Sequence, residues 1–354
     1  MKNNNIIIFK NDGVGDFMLF SPCLKIIKDN IENAHITLLC SEIAYPIAKN
    51  NKYIDKCIVL GNKNLIELLL NYFKTLFLTR YQFLFQFDGK NKSYRISYFV
   101  NAKIKSTICF VKKRSFFNVN YDIFRPSKIL LKMFFSNYVY RESDYSVKLE
   151  KELIITYQSL YFKIFENLKF QINSRKNIFF LDNSYNDFFE KFHEKEIRNN
   201  YYLFHFDERW DLFDNKIYEN ILKLLKKISK KNKLIITSGI KSFFFLNRLE
   251  NNFKTFNYEK NNLIEKNFIE NNEIILLKNM PLNLLAFFIK NSQKNFSAHS
   301  GPIIHIGAAF KKETIDIIKK NKNNELDRWI PTVSNYKRVN FENIDNEFIK
   351  NFSI

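Results

Sequence analysis

Two apolar rhythms alternate along this chain, and each series of them occurs twice. Short runs of β-branched and aromatic residues come first: IIIFK (6–10), HITLLC (35–40), KCIVL (56–60), YQFLFQF (81–87) and TICFV (107–111). Most are continuously apolar, the pattern of parallel strands covered on both faces. Between residues 128 and 169 the pattern turns helical, as in ELIITYQSLYFKIFENL. A second series follows with YYLFHF (201–206), KLIITS (233–238), EIILL (273–277), NFSA (295–298) and TIDII (314–318). In the intervening NKIYENILKLLKKISKKN, residues Ile217, Ile221, Leu224, Leu225 and Ile228 share one helical face. Strand and helix alternating in both halves predict two doubly wound α/β domains with a ligand cleft between them. The polar, irregular stretch from about 170 to 200 holds the linker, which divides the chain into 1–172 and 173–354.

A length of 354 residues is long for one core and fits two domains. Hydrophobic residues make up 46% of the chain, enough for packed cores, so wholesale disorder is excluded. Phe, Ile, Asn and Lys are abundant while Gly, Pro and Ala are sparse, so each retained Gly, His and Trp carries more information than any single Lys. The formal net charge of +20 favours polyanionic partners: an anionic membrane surface, a phosphorylated substrate or nucleic acid. No RRM, KH or zinc-finger pattern supports nucleic acid, and the aromatics fall mainly in predicted core strands. Cys23, Cys40, Cys57 and Cys109 show no CxxC spacing and read as buried thiols of a reducing compartment, with no zinc site. The apolar run at the N-terminus is too short for a signal peptide. The longest apolar-rich stretch, LIELLLNYFKTLFLTRYQFLFQF, is broken by Asn71, Lys74, Thr79 and Arg80 and does not span a bilayer. A cytoplasmic location follows, with peripheral contact at the inner face of a membrane as an option.

Glycine occurs only 7 times, and four of the seven form two clusters near the chain ends. Gly61, Gly89 and Gly239 each follow a predicted strand and read as turns. The first cluster, FKNDGVGDF, places Gly13 and Gly15 before Asp16. It lacks the third glycine of a dinucleotide fingerprint, and Asp16 puts a negative charge where a pyrophosphate would sit. Asp16 is then either a favourable first-turn charge or a carboxylate presented at the cleft edge as a general base. The second cluster, SAHSGPIIHIGAAF (297–310), contains a helix start at Ser300, Gly301 and Pro302, whose N–H groups would suit a diphosphate. His299 precedes this start and His305 lies within it. A lone helical histidine such as His305 is more often a satisfied core residue than a catalytic one.

These two clusters, in this order and separation, resemble glycosyltransferase family 9, the lipopolysaccharide heptosyltransferases. The family's opening strand, R-x-D-x-x-G-D turn and T/S-P-x-L helix read here as Lys10, Asp12, Gly15, Asp16 and Ser21-Pro22-Cys23-Leu24. AHITLLCSEIAYPIAKNNKYIDKCIVL looks like its next strand, helix and strand, with the N-x-x-[IV]-D turn at Asn51 to Asp55. QFDGKNKSYRISYFVNAKIKSTI is similar to its fourth strand and following helix, SGPIIHIGAAF to its S-G-P-x-H-x-x-A-A signature, and DRWIP (327–331) to its closing W-x-P. The chain departs from the pattern at several places. His299 stands where the family has an acidic residue before S-G, and one extra residue separates Pro302 from His305. HFDERW (205–210) replaces the phosphate-contacting turn, with Arg209 and Trp210 in place of the basic residue and Trp near Lys-x-W-P, and the F-G-P-T-D-P segment is absent.

The resemblance implies a GT-B fold, two doubly wound Rossmann-like domains facing a central cleft, with acceptor on the N-terminal side and nucleotide-sugar on the C-terminal side. It implies inverting, metal-independent transfer without a cofactor, from a nucleotide-diphosphate sugar to a lipopolysaccharide core or related anionic, lipid-linked glycan. ADP-heptose is the family's donor. Asp16 aligns with the proposed base. Donor contacts fall on Gly15, Arg209, His299, Ser300, Gly301, Pro302 and His305, and acceptor contacts on Asp12 and the basic run Lys112, Lys113 and Arg114 after the fifth strand. That basic run is equally a solvated loop of a Lys-rich protein. Two alternatives remain open from sequence: a GT-B transferase with another nucleotide-sugar, and a non-catalytic homologue that only binds nucleotide or glycan.

Overall fold

A computed structural model describes residues 4–60, 65–116, 119–142, 156–197, 200–207, 210, 218–239, 244–250, 252–259, 262–267, 274–298, 301–320 and 326–345. The chain divides into two compact units, Met1–Phe180 and Leu181–Ile354.

The first unit runs β1 (Asn4–Lys10), α1 (Val14–Asn30), β2 (Ala34–Cys40), α2 (Tyr45–Ala48), β3 (Lys56–Val59), α3 (Leu65–Phe73), a π-helical turn (Lys74–Leu78) and β4 (Tyr81–Gln86). It continues with α4 (Asn91–Phe99), β5 (Ala102–Phe116), β6 (Val119–Arg125), α5 (Lys128–Phe134), β7 (Asn137–Glu142) and α6 (Tyr157–Asn167). The sheet order is β3-β2-β1-β4-β5-β6, with β7 also paired to β5. All pairings are parallel except β5 with β6. Residues 6–9 of β1 are buried on both faces, as their unbroken apolar run requires. Ile7 and Phe9 join a cluster with Leu76, Tyr94, Ile96 and Leu131, so the π-helical turn, α4 and α5 cover that face. Opposite them, α1 and α6 pack together, and Phe85 meets Phe165 of α6 at a centroid distance of 5.1 Å.

The second unit runs α7 (Asn186–Phe192), β8 (Tyr201–Phe206), α8 (Tyr218–Ser229), β9 (Lys233–Ser238), α9 (Phe244–Glu250), β10 (Lys254–Glu259), β11 (Asn262–Asn267) and β12 (Ile274–Lys278). Then come α10 (Leu282–Asn291), β13 (Lys294–Ala298), α11 (Pro302–Ala309), β14 (Glu313–Ile318) and β15 (Asn335–Asn340). The order is β11-β10-β12-β9-β8-β13-β14-β15, parallel throughout except for the β10–β11 pair. Phe204 and Phe296 stack at 4.2 Å across β8 and β13 in the core of this unit.

All ten strands expected from apolar runs are present, and the differences lie at polar or mixed segments. The stretch 128–169, expected to be helical throughout, holds α5, then strand β7, then α6. β7 (NYVYRE) alternates and pairs along β5 as a sheet member, which outweighs its local helical context. β5 also runs past its apolar stretch to Phe116. Lys112, Lys113 and Arg114 therefore lie within an antiparallel ladder opposite Ile123, Asp122 and Tyr121, not in a loop after the strand.

Candidate functional site

Each unit has one place where its strand order reverses direction, and ligands of doubly wound sheets bind outside the carboxyl ends of strands there. In the first unit β1 lies between β2 and β4, and in the second β8 lies between β9 and β13. Both glycine clusters fall at these points, one directly after β1 and the other after β13.

The turn after β1 is built on a buried cation. Lys10, the last residue of the strand, is only 1% exposed, and its Nζ donates to Asp12 Oδ2 at 2.5 Å. The ammonium also lies 5.2 Å from the Tyr161 ring centroid of α6. Burial works against the charge on Lys10, but attraction to Asp12, then Tyr161 and Asp16, outweighs it and holds its pKa above the ordinary lysine value. Asp12 is pushed up to about 6: burial dominates, Lys10 pulls the other way, and the nearby charges of Asp88 and Asp16 add to the rise. The backbone carbonyl of Asp12 accepts a hydrogen bond from Ser41 Oγ at 2.5 Å, which ties the turn to the end of β2.

Helix α1 then begins after Gly13, whose backbone is extended (φ −69°, ψ 174°) and which contributes no side-chain cap. Asp16 sits in the first turn, half-buried, where the helix N-terminus favours negative charge. A Cβ on Gly13 would approach Asp16 Oδ2 at 3.9 Å, an ordinary contact. Neither strain nor overlap therefore demands glycine there; its bare Cα leaves the space beside the carboxylate open.

The turn after β4 locks the other side. Asp88 is 7% exposed and accepts four hydrogen bonds, two on each oxygen. Oδ2 takes the Asn11 N–H at 3.1 Å and the Ser93 hydroxyl at 2.5 Å, while Oδ1 takes Gln86 Nε2 and the Lys90 N–H, both at 2.8 Å. Gln86 Oε1 in turn accepts from Thr107 Oγ1 at 2.8 Å. Burial raises the Asp88 pKa, and the bonds from Ser93, Lys90 and Asn11 together with the charge of Lys10 oppose that rise. Gly89, with φ +64°, is the turn residue, and a Cβ there would lie 2.3 Å from the Phe110 ring. Both the left-handed backbone and the ring favour glycine at this position.

In the second unit, β8 ends at Phe206 and the buried Asp207. His205 is buried with Nδ1 3.0 Å from Thr237 Oγ1, and its carbonyl accepts from Trp210 Nε1 at 3.1 Å. Trp210 is 1% exposed and packs 4.4 Å from Phe206, so it pins the core. After β13, Gly301 caps α11 in an extended conformation (φ −66°, ψ 179°) without a side-chain bond, and Pro302 is the first helical residue. His305 lies inside α11 at 0% exposure. Gly307 lets α11 settle onto β14, since a Cβ there would meet Thr314 Oγ1 at 2.5 Å.

Asp12, Gly15 and Asp16 are thus gathered on the β1–α1 turn, and Gly301, Pro302 and His305 on α11. Arg209, His299 and Ser300 lie outside the described residues, as do the side chains of Lys112, Lys113 and Arg114. Sequence reasoning gave no role to Asp88, Tyr161, Ser41 or Ser93, and gave Lys10 only a place in the opening motif. A signal for Asp88 was present, since Asp88-Gly89 after β4 repeats the Asp12-Gly13 pair that follows β1. Among the described residues, no group of His, Cys, Asp and Glu is arranged to hold a metal ion.

By sequence the chain matches neither a family profile nor a curated protein. By structure it is similar to the glycosyl transferase family 9 protein of Veillonella parvula, with a TM-score of 0.68 and 11% identity over 95% of this chain and 86% of that one. It is also similar to the E. coli heptosyltransferase WaaC with ADP, with a TM-score of 0.63 and 12% identity over 98% and 97%. E. coli ADP-heptose lps heptosyltransferase II gives a TM-score of 0.65 at 9% identity over 98% and 95%. The chain shares the two-unit, Rossmann-like GT-B fold of these proteins.

Proposed function

We propose that this chain is a glycosyltransferase that moves a sugar from a nucleotide diphosphate to a hydroxyl of an anionic, lipid-linked glycan. One observation carries the proposal: on a fold shared with heptosyltransferases, Asp16 and the α11 start at Gly301–Pro302 each occupy the switch point of their own sheet. Asp16 takes the proton of the acceptor hydroxyl. The acceptor oxygen bonds to the anomeric carbon from the face opposite the leaving group, so the configuration inverts. The bond from that carbon to the phosphate oxygen breaks, and its electron pair leaves on the nucleoside diphosphate. N–H groups at the start of α11, aided by Ser300 and Arg209, stabilise the departing charge, so fixed donors serve in place of a metal ion. Lys10 and Asp88 hold the turn that aims Asp16. ADP-heptose is the first donor to try, because the resemblance and the fold neighbours both lead to it.

The test is a thermal-shift screen with ADP, UDP, GDP and CDP, followed by turnover on a donor panel. Selective stabilisation by ADP with heptose transfer supports the full proposal. Turnover with another nucleotide-sugar keeps the reaction and changes the donor. Nucleotide binding without turnover on any donor makes the chain a binding homologue, and no response to any nucleotide sinks the proposal.

A further inference from the structure

The first unit presents an apolar surface whose rim is almost entirely basic. Among the described residues, Leu70 is 77% exposed, Leu78 65%, Phe99 71%, Ile129 72% and Met133 67%, with Phe73 also exposed. These six are half of the large exposed hydrophobics among the described residues, and they stand on three neighbouring segments: α3 with its π-helical turn, α4 and α5. All three segments rest on the same core cluster and hence cover the same face of the sheet. Tyr98 of α4 stacks on Phe134 of α5 at 4.7 Å, which keeps the second and third side by side. On α4 and α5 the spacing is that of exposed helical stripes, Arg95 with Phe99, Lys128 with Lys132, and Ile129 with Met133, while Leu70 and Phe73 stand on either side of a kink at Tyr72. Lys74, Arg80, Arg95, Lys103, Lys128 and Lys132, on these segments or within a few residues of them, are exposed. Glu67 is the one carboxylate on these helical segments.

We infer that this face docks on an anionic phospholipid surface. Apolar side chains enter the headgroup–acyl boundary while lysines and arginines meet the phosphates, the arrangement of interfacial helices. Two rival occupants fit less well. A second copy placed symmetrically would set the same basic rim against itself. Single-stranded nucleic acid would use ring stacking, whereas Leu70, Leu78, Ile129 and Met133 are not aromatic. No described helix is long and apolar enough to cross a membrane, so the contact is peripheral. The inference extends the lipid-linked acceptor of the proposed reaction. Vesicle binding needs neither donor nor turnover, so loss of either proposal leaves the other to be judged on its own data.

The experiment is co-sedimentation of the full chain with phosphatidylcholine vesicles, with and without phosphatidylglycerol. Binding should require the anionic lipid and weaken in high salt without vanishing. Lys128→Glu/Lys132→Glu should weaken binding about tenfold or more, since each basic residue near the surface contributes about a fivefold change. Leu70→Glu/Phe73→Glu/Leu78→Glu should abolish it, while Lys230→Glu/Lys231→Glu on the second unit should leave it within about twofold. Circular dichroism confirms the fold of each variant. The inference fails if the unaltered chain does not sediment, if the leucine and phenylalanine substitutions change nothing, or if the second-unit control weakens binding equally. It also fails if the chain elutes as a dimer that Leu70→Glu separates.

Discussion

The backbone N–H of Asn11 donates to Asp88 Oδ2 across 3.1 Å, joining two turns that lie 77 residues apart in the chain. Through this bond the turn carrying Asp16 is held by the end of β4 as well as by its own strand. Asp88→Ala leaves four donors, three of them in buried bonds, without this acceptor, and each unmade buried bond costs about 1–3 kcal/mol. We expect a loss of at least about 3 kcal/mol in urea unfolding. Asp88→Asn, which sets an amide N–H against donors on one side, should lose about 1–3 kcal/mol. An alanine variant as stable as the parent would mean that the four bonds contribute nothing net.

Asp16→Asn should lower turnover by about 10²–10⁴-fold, the range of a general base, with nucleotide binding and melting temperature near those of the parent. Full activity in this variant would remove Asp16 from the mechanism. A parallel loss of stability would make it chiefly a first-turn charge.

The pKa of Asp12 gives a pH dependence of known sign. Burial raises its carboxyl from 3.8 to about 6 in the folded chain, so folding favours the protonated form. Its contribution to stability is complete below about pH 4 and is lost as pH rises through 6. The stability difference between the parent and Asp12→Asn should therefore fall by about 3 kcal/mol at most between those limits and stay level above them. Denaturant titrations of both proteins at several pH values test this, and a difference that grows with pH would falsify it.

Gly89→Ala meets two penalties at once, a left-handed backbone and a Cβ 2.3 Å from the Phe110 ring. We expect a cost of about 2–4 kcal/mol. Gly13→Ala, with negative φ and only a 3.9 Å contact to Asp16, should cost little stability. Any effect it has should appear in turnover, because the added methyl narrows the space beside the carboxylate.

Much of this architecture was legible because buried parallel strands leave continuous apolar runs such as IIIFK and KLIITS. The strands that escaped sequence reading, β6, β7, β10, β11 and β15, mix polar and apolar residues. β15 (NYKRVN) is a polar edge strand, and β7 (NYVYRE) alternates beside a helix-rich segment. Asp16 and the Gly301 helix start were visible because glycine is rare and local spacing marked them. The Lys10–Tyr161 and Asn11–Asp88 partnerships were not visible, since they exist only once the strand order brings β4 and α6 beside β1. No local pattern encodes such a partnership.

Strand β5 has a consequence for how this molecule tolerates insertion and deletion. Its 15 residues serve three neighbours in turn: β4 along 102–107, β7 along 106–111 and β6 along 110–116. Because neighbouring side chains alternate faces, removing one residue anywhere in its middle would invert every position beyond the cut. The strand is in effect a ruler with three readers. A single-residue change of length within 102–116 therefore upsets ladders that up to three neighbours read at once. A library of single-residue insertions placed between Ala102 and Val111 should rarely yield folded chains.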